Sequence, residues 1–321
     1  MNEFKAIRNL CCLTTNAVKG HCYDVLIHNG YPTIDTNEYV YARGNIPLML
    51  VAHLDTVLKQ PPHKDLIYYD SKQAVMWSPC GLGVDDRAGV YSVLYLVQWC
   101  PTNRRPHILF TTGEEDGGIG ASAFLADYPE VKLKYIIELD RCGTDDCVFY
   151  DCDSDDFIEY VSSFGFTEDF GIFSDISILC PSWKICGVNL SIGYDYEHST
   201  REMLSIRAMN RTIKRVKKMI LDIENAKYFT YVELPPSAKY AFLQDPALSR
   251  FTEICDICNK PTSLLDVTLA QKGESVTHPG TYVYTYVCPE CLTKIHWCPK
   301  CGTGFISSNE QSLCFKCQKE R

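Results

Sequence analysis

Long uninterrupted apolar runs are missing from this sequence, and so is any excess of positive charge. No stretch of about 18 uncharged apolar residues occurs, so no membrane span is expected. The opening, MNEFKAIRNLCCL, has no basic segment leading into a long apolar run and a small-residue cleavage site, which argues against a secretory signal. The net charge of −9 disfavours nucleic acid and anionic membranes as partners of the whole molecule. There is no low-complexity tract and no internal repeat beyond short cysteine units. What is present is a globular balance, 46% hydrophobic and 22% charged, in a 321-residue chain long enough for one large domain plus a small one.

Cysteine is the abundant exception, with 18 residues. Eight of them form four CxxC pairs after residue 250, and the other ten are scattered through apolar and loop segments. Scattered thiols in a large domain without a signal peptide fit a reducing compartment, and the cytoplasm is the expected location. The paired thiols read as metal knuckles.

Residues 1–235 alternate apolar strand-like runs with helical patterns. PLMLVAH (47–53), HILFTT (107–112), KYIIELD (134–140) and ICGVNLS (185–191) are short, apolar and bounded by turn or polar residues, as buried strands are. DRAGVYSVLYLVQWC (86–100) reads as a buried helix and ASAFLADY (121–128) as a shorter one. Over about 200–227, Ile206, Met209, Ile213, Val216, Ile220 and Ile223 recur at spacings of three and four, giving one apolar face. The basic residues of that segment lie largely off the stripe and read as a solvated face. Strands alternating with helices predict a three-layer α/β/α domain around a mainly parallel sheet. Residues 236–250 read as a linker, and 251–321 as a separate cysteine-rich module.

Five segments of the large domain carry acids or histidines where buried runs end. VAHLDTV holds His53 and Asp55, and a carboxylate two residues from a histidine can orient its ring. GLGVDDRAG holds Asp85 and Asp86 between a glycine-rich turn and a helix start, where a helix cap is the competing explanation. TTGEEDGG holds Glu114 and Glu115; one can bind a metal while the other moves a proton, or both can belong to a solvated acidic loop. IIELDR brings Asp140 to a strand end, where ligands bind in open α/β sheets. GYDYEHSTRE places His198 before the long amphipathic helix. Each segment alone is weak, but the ordered set is chemically complete: two imidazoles and several hard carboxylates suit a pair of zinc ions, with cobalt or manganese as possible substitutes.

The set VAHLDTV, GVDDRAG, TGEED, ELD and YEHS resembles the zinc-dependent exopeptidases with a co-catalytic dinuclear site, which include bacterial aminopeptidases, peptidase T and the glutamate carboxypeptidases. The resemblance covers about residues 45–225. It implies that His53 and Asp140 hold one zinc, that Glu115 and His198 hold the other, and that Asp85 bridges them. It implies that Asp55 orients His53, and that Glu114 is the general base for a metal-bridged water and then the proton donor to the leaving amine. It also implies a cis peptide between Asp85 and Asp86. Tyr194 and Tyr196 are candidate oxyanion donors, with simple packing as the alternative. Ser174 and Asp175 resemble a segment near the substrate pocket of some aminopeptidases, with a cap or turn as the alternative.

Only 57 residues lie between Asp140 and His198, too few for the core elements plus a lid or dimerisation domain. Only 31 separate His53 from Asp85, which leaves no room for the inserted domain of the large tetrahedral aminopeptidases. The compact form points to an aminopeptidase acting on the free amino end of a peptide. A deacylase or amidohydrolase of an N-acylated small molecule would use the same metals, and a catalytically silent zinc-ribbon adaptor is a third possibility that the intact acids oppose.

The knuckles of the small module are Cys255/Cys258, Cys288/Cys291, Cys298/Cys301 and Cys314/Cys317. Four thiolates close one structural zinc site, so four pairs supply two zincs, which also staple a module too small to rely on its core. Sequential pairing, first with second and third with fourth, is the simplest arrangement, and cross-braced pairing stays open. SLLDVTLA and TYVYTYV alternate well enough for a hairpin. His296 could replace a cysteine ligand. Lys plus Arg and Asp plus Glu are both 7 over 251–321, so the module is not a basic patch. Tyr282, Tyr284, Tyr286 and Trp297 read as cover for the small core rather than as base-stacking platforms. Docking of a protein or recruitment of substrate is the expected role.

Overall fold

The computed structural model describes residues 3–231 and, further on, 252–255, 257–258, 261–263, 268–274, 282–300 and 304–305. The chain divides into two compact units, Met1–Glu233 and Leu234–Arg321. The expected linker at 236–250 lies outside the described residues.

The first unit opens with two helices, α1 (Glu3–Cys11) and α2 (Thr15–His28), and two strands, β1 (Thr33–Asp35) and β2 (Tyr39–Ala42). Then come β3 (Leu48–His53), the short pair β4 (Tyr68–Asp70) and β5 (Val75–Trp77), helix α3 (Val84–Trp99), β6 (His107–Thr111) and α4 (Ile119–Asp127). β7 (Tyr135–Arg141), β8 (Asp146–Val148), α5 (Asp155–Ser162), β9 (Thr167–Glu168), α6 (Ile176–Trp183) and β10 (Gly187–Ser191) follow. The unit ends with β11 (Tyr194–Asp195), β12 (Met203–Ser205) and α7 (Ile206–Asp222).

Eight of these strands form one sheet in the order β1-β2-β6-β3-β7-β10-β8-β9. The four apolar segments expected as strands are its centre, β6-β3-β7-β10, and all three of their pairings are parallel. β2 adds antiparallel to β6 at one side and β8 antiparallel to β10 at the other. The fold is therefore α/β with a mainly parallel sheet.

Period-two alternation divides the central strands between two cores. Leu48, Leu50 and Ala52 of β3, Ile108 and Phe110 of β6, and Ile137 and Leu139 of β7 face one core, which α1, α2, α3, α5 and α7 cover. Met49, Val51, Leu109 and Ile136 face the other, covered by α4 and α6. Both faces being buried explains why these strands are apolar throughout rather than alternating. α3 approaches β7 closely at Gly89, where an added Cβ would lie 2.0 Å from the Leu139 carbonyl oxygen.

The long amphipathic helix is shorter than its pattern. Met203–Ser205 pairs with β5, and the Ser205 side chain accepts from the Ala208 amide, so α7 starts at Ile206. Its apolar stripe from Ile206 to Ile223 is buried as expected. The 57 residues between Asp140 and His198 are taken up by elements of the sheet and its covering helices, and the 31 between His53 and Asp85 by the β4–β5 pair. Among the described residues, no helix is long and apolar enough to cross a membrane.

In the second unit, β13 (Thr268–Glu274) and β14 (Tyr282–Val287) pair antiparallel as the expected hairpin. The side chains of Tyr282, Tyr284, Tyr286 and Trp297 lie outside what is described.

Leu50 is fully buried at the sheet centre, so Leu50→Ala should destabilise the protein by about 2–5 kcal/mol. Leu221 is 50% exposed on α7, and Leu221→Ala should stay within about 0.5 kcal/mol. Urea unfolding of both variants checks this difference.

Candidate metal centre

Apart from His198, the acids and histidines of the ordered set arrive at the carboxyl ends of the central strands or at the helix start beside them. His53 ends β3, Glu114 and Glu115 follow β6, Asp140 stands near the end of β7, and Asp85 opens α3. His198 comes from the loop after β11, where Tyr196 and His198 both adopt left-handed backbone conformations, φ 60° and 58°. Non-glycine residues rarely sit there, and such strain concentrates at functional sites.

Two histidines converge on one carboxylate. His53 Nε2 lies 3.1 Å from Asp85 Oδ1 and 3.2 Å from Asp140 Oδ1. His198 Nε2 lies 3.1 Å from Asp85 Oδ2 and 3.0 Å from Glu115 Oε2. Asp85 thus turns one oxygen toward each imidazole. The two ends differ in exposure: the His53 side chain is 1% exposed and that of His198 52%. The peptide between Asp85 and Asp86 is cis.

The ligand atoms of His53, Asp86 and Asp140 also lie within 4.8 Å of one another. Asp86 nevertheless points its oxygens at backbone: Oδ2 accepts the His53 amide at 3.2 Å and Oδ1 the Gly89 amide at 2.9 Å. This fits a buried cap, so one of the paired aspartates faces the site and the other holds the helix.

Asp55 and Glu202 hold the loops. Asp55 Oδ1 accepts the amides of Gly113 at 2.8 Å and Glu114 at 3.4 Å, and Oδ2 that of Glu115 at 3.2 Å. The same carboxylate faces His53 Nδ1 at 3.5 Å, so one side chain sets the ring and the Glu114–Glu115 turn together. Glu202, 3% exposed, accepts the amides of Leu82 at 3.0 Å, Gly83 at 2.5 Å and Asp85 at 3.0 Å. Its position in YEHSTRE gave no hint of this, because its partners lie about 120 residues away in sequence.

A buried polar layer lies behind the converging acids and histidines. Tyr194 is buried, and its hydroxyl donates to Asp140 Oδ1 at 3.1 Å, which commits it to an acid rather than to an oxyanion. Tyr196 is 53% exposed, with the Arg201 guanidinium over its ring. Asn189 accepts the Asp140 amide at 2.9 Å and donates to the Asp140 carbonyl at 3.1 Å. Ser174 donates to Glu138, and Thr111 donates to Asp175, which starts α6 without capping it through its side chain. Asn189, a polar residue inside the apolar run ICGVNLS, was the available signal for this layer.

Burial and close pairing shift the titration of the groups in this cluster. Hydrogen bonds to Asp85 and Glu115 pull His198 up to about 11. Burial raises Asp140 to about 7 even though His53 opposes it. Burial, together with Asp140, Asp175 and Glu115, pushes Glu114 well above the usual carboxylate range against the pull of His53. Glu115 Oε1 is buried without a hydrogen-bond partner. Carboxylates outnumbering imidazoles in a buried site fit divalent cations, whose charge the chain does not supply.

In the second unit, Cys255, Cys258, Cys288 and Cys291 bring four sulfurs within 4.8 Å of one another, uniting the first and second knuckles as sequential pairing requires. The Cys288 amide donates to Cys255 Sγ at 3.3 Å. Burial opposes a charge on Cys255, but backbone amides aimed at its sulfur pull it down to about 6. Cys298 is buried, whereas Cys301, Cys314 and Cys317 lie outside the described residues. His296 is exposed and packs on Phe305 rather than joining the four sulfurs.

Residues 37–162 match the model of Peptidase family M28. No curated protein matches the chain by sequence. Among solved structures, a tripeptidase from Staphylococcus aureus aligns with TM-score 0.56 and 14% identity over 70% of this chain and 98% of its own. The aminopeptidase PepT of Bacillus cereus aligns with TM-score 0.54 and 13% identity over 69% and 98%. An aminopeptidase from the archaeon Desulfurococcus kamchatkensis gives 0.55 and 13% over 70% and 97%. The N-terminal unit shares its fold with these proteins, and the family match lies within that unit.

Asp55→Ala should weaken zinc binding about 10–100-fold, because it frees both His53 and the 113–115 turn. Competition titration against a zinc chelator measures this.

Proposed function

We propose that the N-terminal domain, residues 1–235, is a zinc-dependent exopeptidase holding two ions, and that it acts as an aminopeptidase. His53 and Asp140 would hold one ion, His198 and Glu115 the other, and Asp85 would bridge them. The observation that carries this reading is the single Asp85 carboxylate with one oxygen toward each histidine. The donor set of imidazole and carboxylate suits zinc and is permissive toward cobalt or manganese.

When bound, the ions would lower the pKa of a shared water and polarise the scissile carbonyl. The remaining work falls to the chain. Glu114 takes the proton of the attacking water and returns it to the leaving amine; burial and surrounding acids raise its proton affinity toward that task. Asp55 keeps His53 oriented and fixes the turn that carries Glu114. Substrate approaches from the half-exposed His198 side, since the His53 side is closed. Among the candidate donors, Tyr196 is exposed near that entrance, whereas Tyr194 positions Asp140.

An amino-end preference is supported by the names of the neighbours, two aminopeptidases and a tripeptidase, and by the absence of an inserted lid between Asp140 and His198. The cysteine-rich module, residues 251–321, would carry two structural zincs, one on Cys255, Cys258, Cys288 and Cys291 and one on Cys298, Cys301, Cys314 and Cys317. It would dock a protein partner or recruit substrate. Buried thiols such as Cys22 and Cys180 suit a reducing, cytoplasmic setting.

Glu114→Gln should keep its zinc and lose amino-end trimming of a mixed peptide library by about 10²–10⁴-fold. Metal analysis alongside mass spectrometry of the library reads both. Glu114-dependent cleavage of N-acylated amines without peptide trimming would replace this reading with a deacylase, and no Glu114-dependent hydrolysis would leave an adaptor.

A further inference from the structure

Arg87 is a buried charge that the proposed reaction does not use. It is 3% exposed, and its guanidinium reaches only neutral groups: Nη1 donates to the Leu54 carbonyl, Nη2 to the Leu13 carbonyl at 3.4 Å, and Nε has no partner. Asp55 and Asp86 lie near enough to be felt, but their oxygens are taken by backbone amides. The neighbouring thiols of Cys11 and Cys22 supply no charge, because burial raises both far above their ordinary range. A guanidinium this deep without a contacting anion is costly, and a bound anion would remove that cost.

Beside Arg87 lies a cavity of about 130 Å³, lined also by Thr14, Thr15, Thr56, Lys59 and Gln60. The positive end of α2 is at its wall: Thr14 is the helix cap, and the first turn of this 14-residue helix contains no acid. One buried arginine, one lysine, three hydroxyls, an amide and a helix start present donors and positive charge. The volume is below the roughly 300–1,000 Å³ of pockets for drug-sized ligands, so the occupant is small.

We propose that this cavity binds a small oxyanion against Arg87 and the start of α2. The site is separate from the metal ligands but shares loops with them. Thr56 follows Asp55, and Gly83, another wall residue, donates its amide to Glu202 at 2.5 Å two residues before Asp85. An anion here would brace the segments that carry the orienting and bridging aspartates.

The test is calorimetric titration of sulfate into the zinc-loaded full-length protein at constant ionic strength set with chloride. Lys59 is exposed, so Lys59→Glu probes the site without disturbing the core, whereas Arg87 is too deep for a first variant. Saturable binding of one sulfate per chain is expected, weakened about tenfold in Lys59→Glu, as loss of a charge-assisted contact predicts, and unchanged in His198→Ala. Competition by acetate would extend the ligand class to carboxylates, and failure to compete would confine it to tetrahedral oxyanions; both agree with the proposal. Sulfate heats indistinguishable from chloride, binding indifferent to Lys59→Glu, or binding lost in His198→Ala would overturn it, the last by placing the anion at the metal centre.

Discussion

Several carboxylates crowd around two imidazoles at one end of the sheet, and the local structure there follows from the need to hold that negative charge in place. Asp85 lies between His53 and His198, Asp140 and Glu115 flank it, and Glu114 stands nearby. Such a set repels itself unless each oxygen is aimed and cations complete it. The fold supplies the aim. Parallel strands end together, so residues distant in sequence meet at one edge. Asp55 and Glu202 each accept three backbone amides and so hold the turns that carry Glu114, Glu115 and Asp85.

Much of this was legible in the chain. The central strands are apolar on both faces because both are covered, and that produced four recognisable runs ending in His53, Thr112, Asp140 and Ser191. The ligand candidates were legible because acids and histidines stand where those runs stop. The N-terminal helices and edge strands were less visible: β1 is short and α2 mixes polar and apolar residues around its circumference. The start of α7 was overextended because Met203–Ser205 continues the polar-apolar mixture of the helix while pairing as a strand with β5.

Roles set by tertiary contact were hidden. Asp85 and Asp86 are chemically identical neighbours, yet one faces two histidines and the other caps α3, a division that only backbone geometry decides. Tyr194 and Tyr196 looked equivalent; one is buried against Asp140 and the other is exposed. Glu202 and Arg87 have partners in loops distant in sequence, so the local sequence around them carries no sign of those contacts. Arg87 is a buried positive group near Asp55 and Asp86, whose oxygens accept backbone amides.

The central claim is that Asp85 joins two metal sites, and anomalous diffraction at the zinc edge from crystals grown with zinc tests it directly. Two peaks are expected in the N-terminal domain, both bonded to Asp85, one also to His53 and Asp140 and the other to His198 and Glu115. A single ion, or two ions with Asp85 bound to neither or only one, would contradict it.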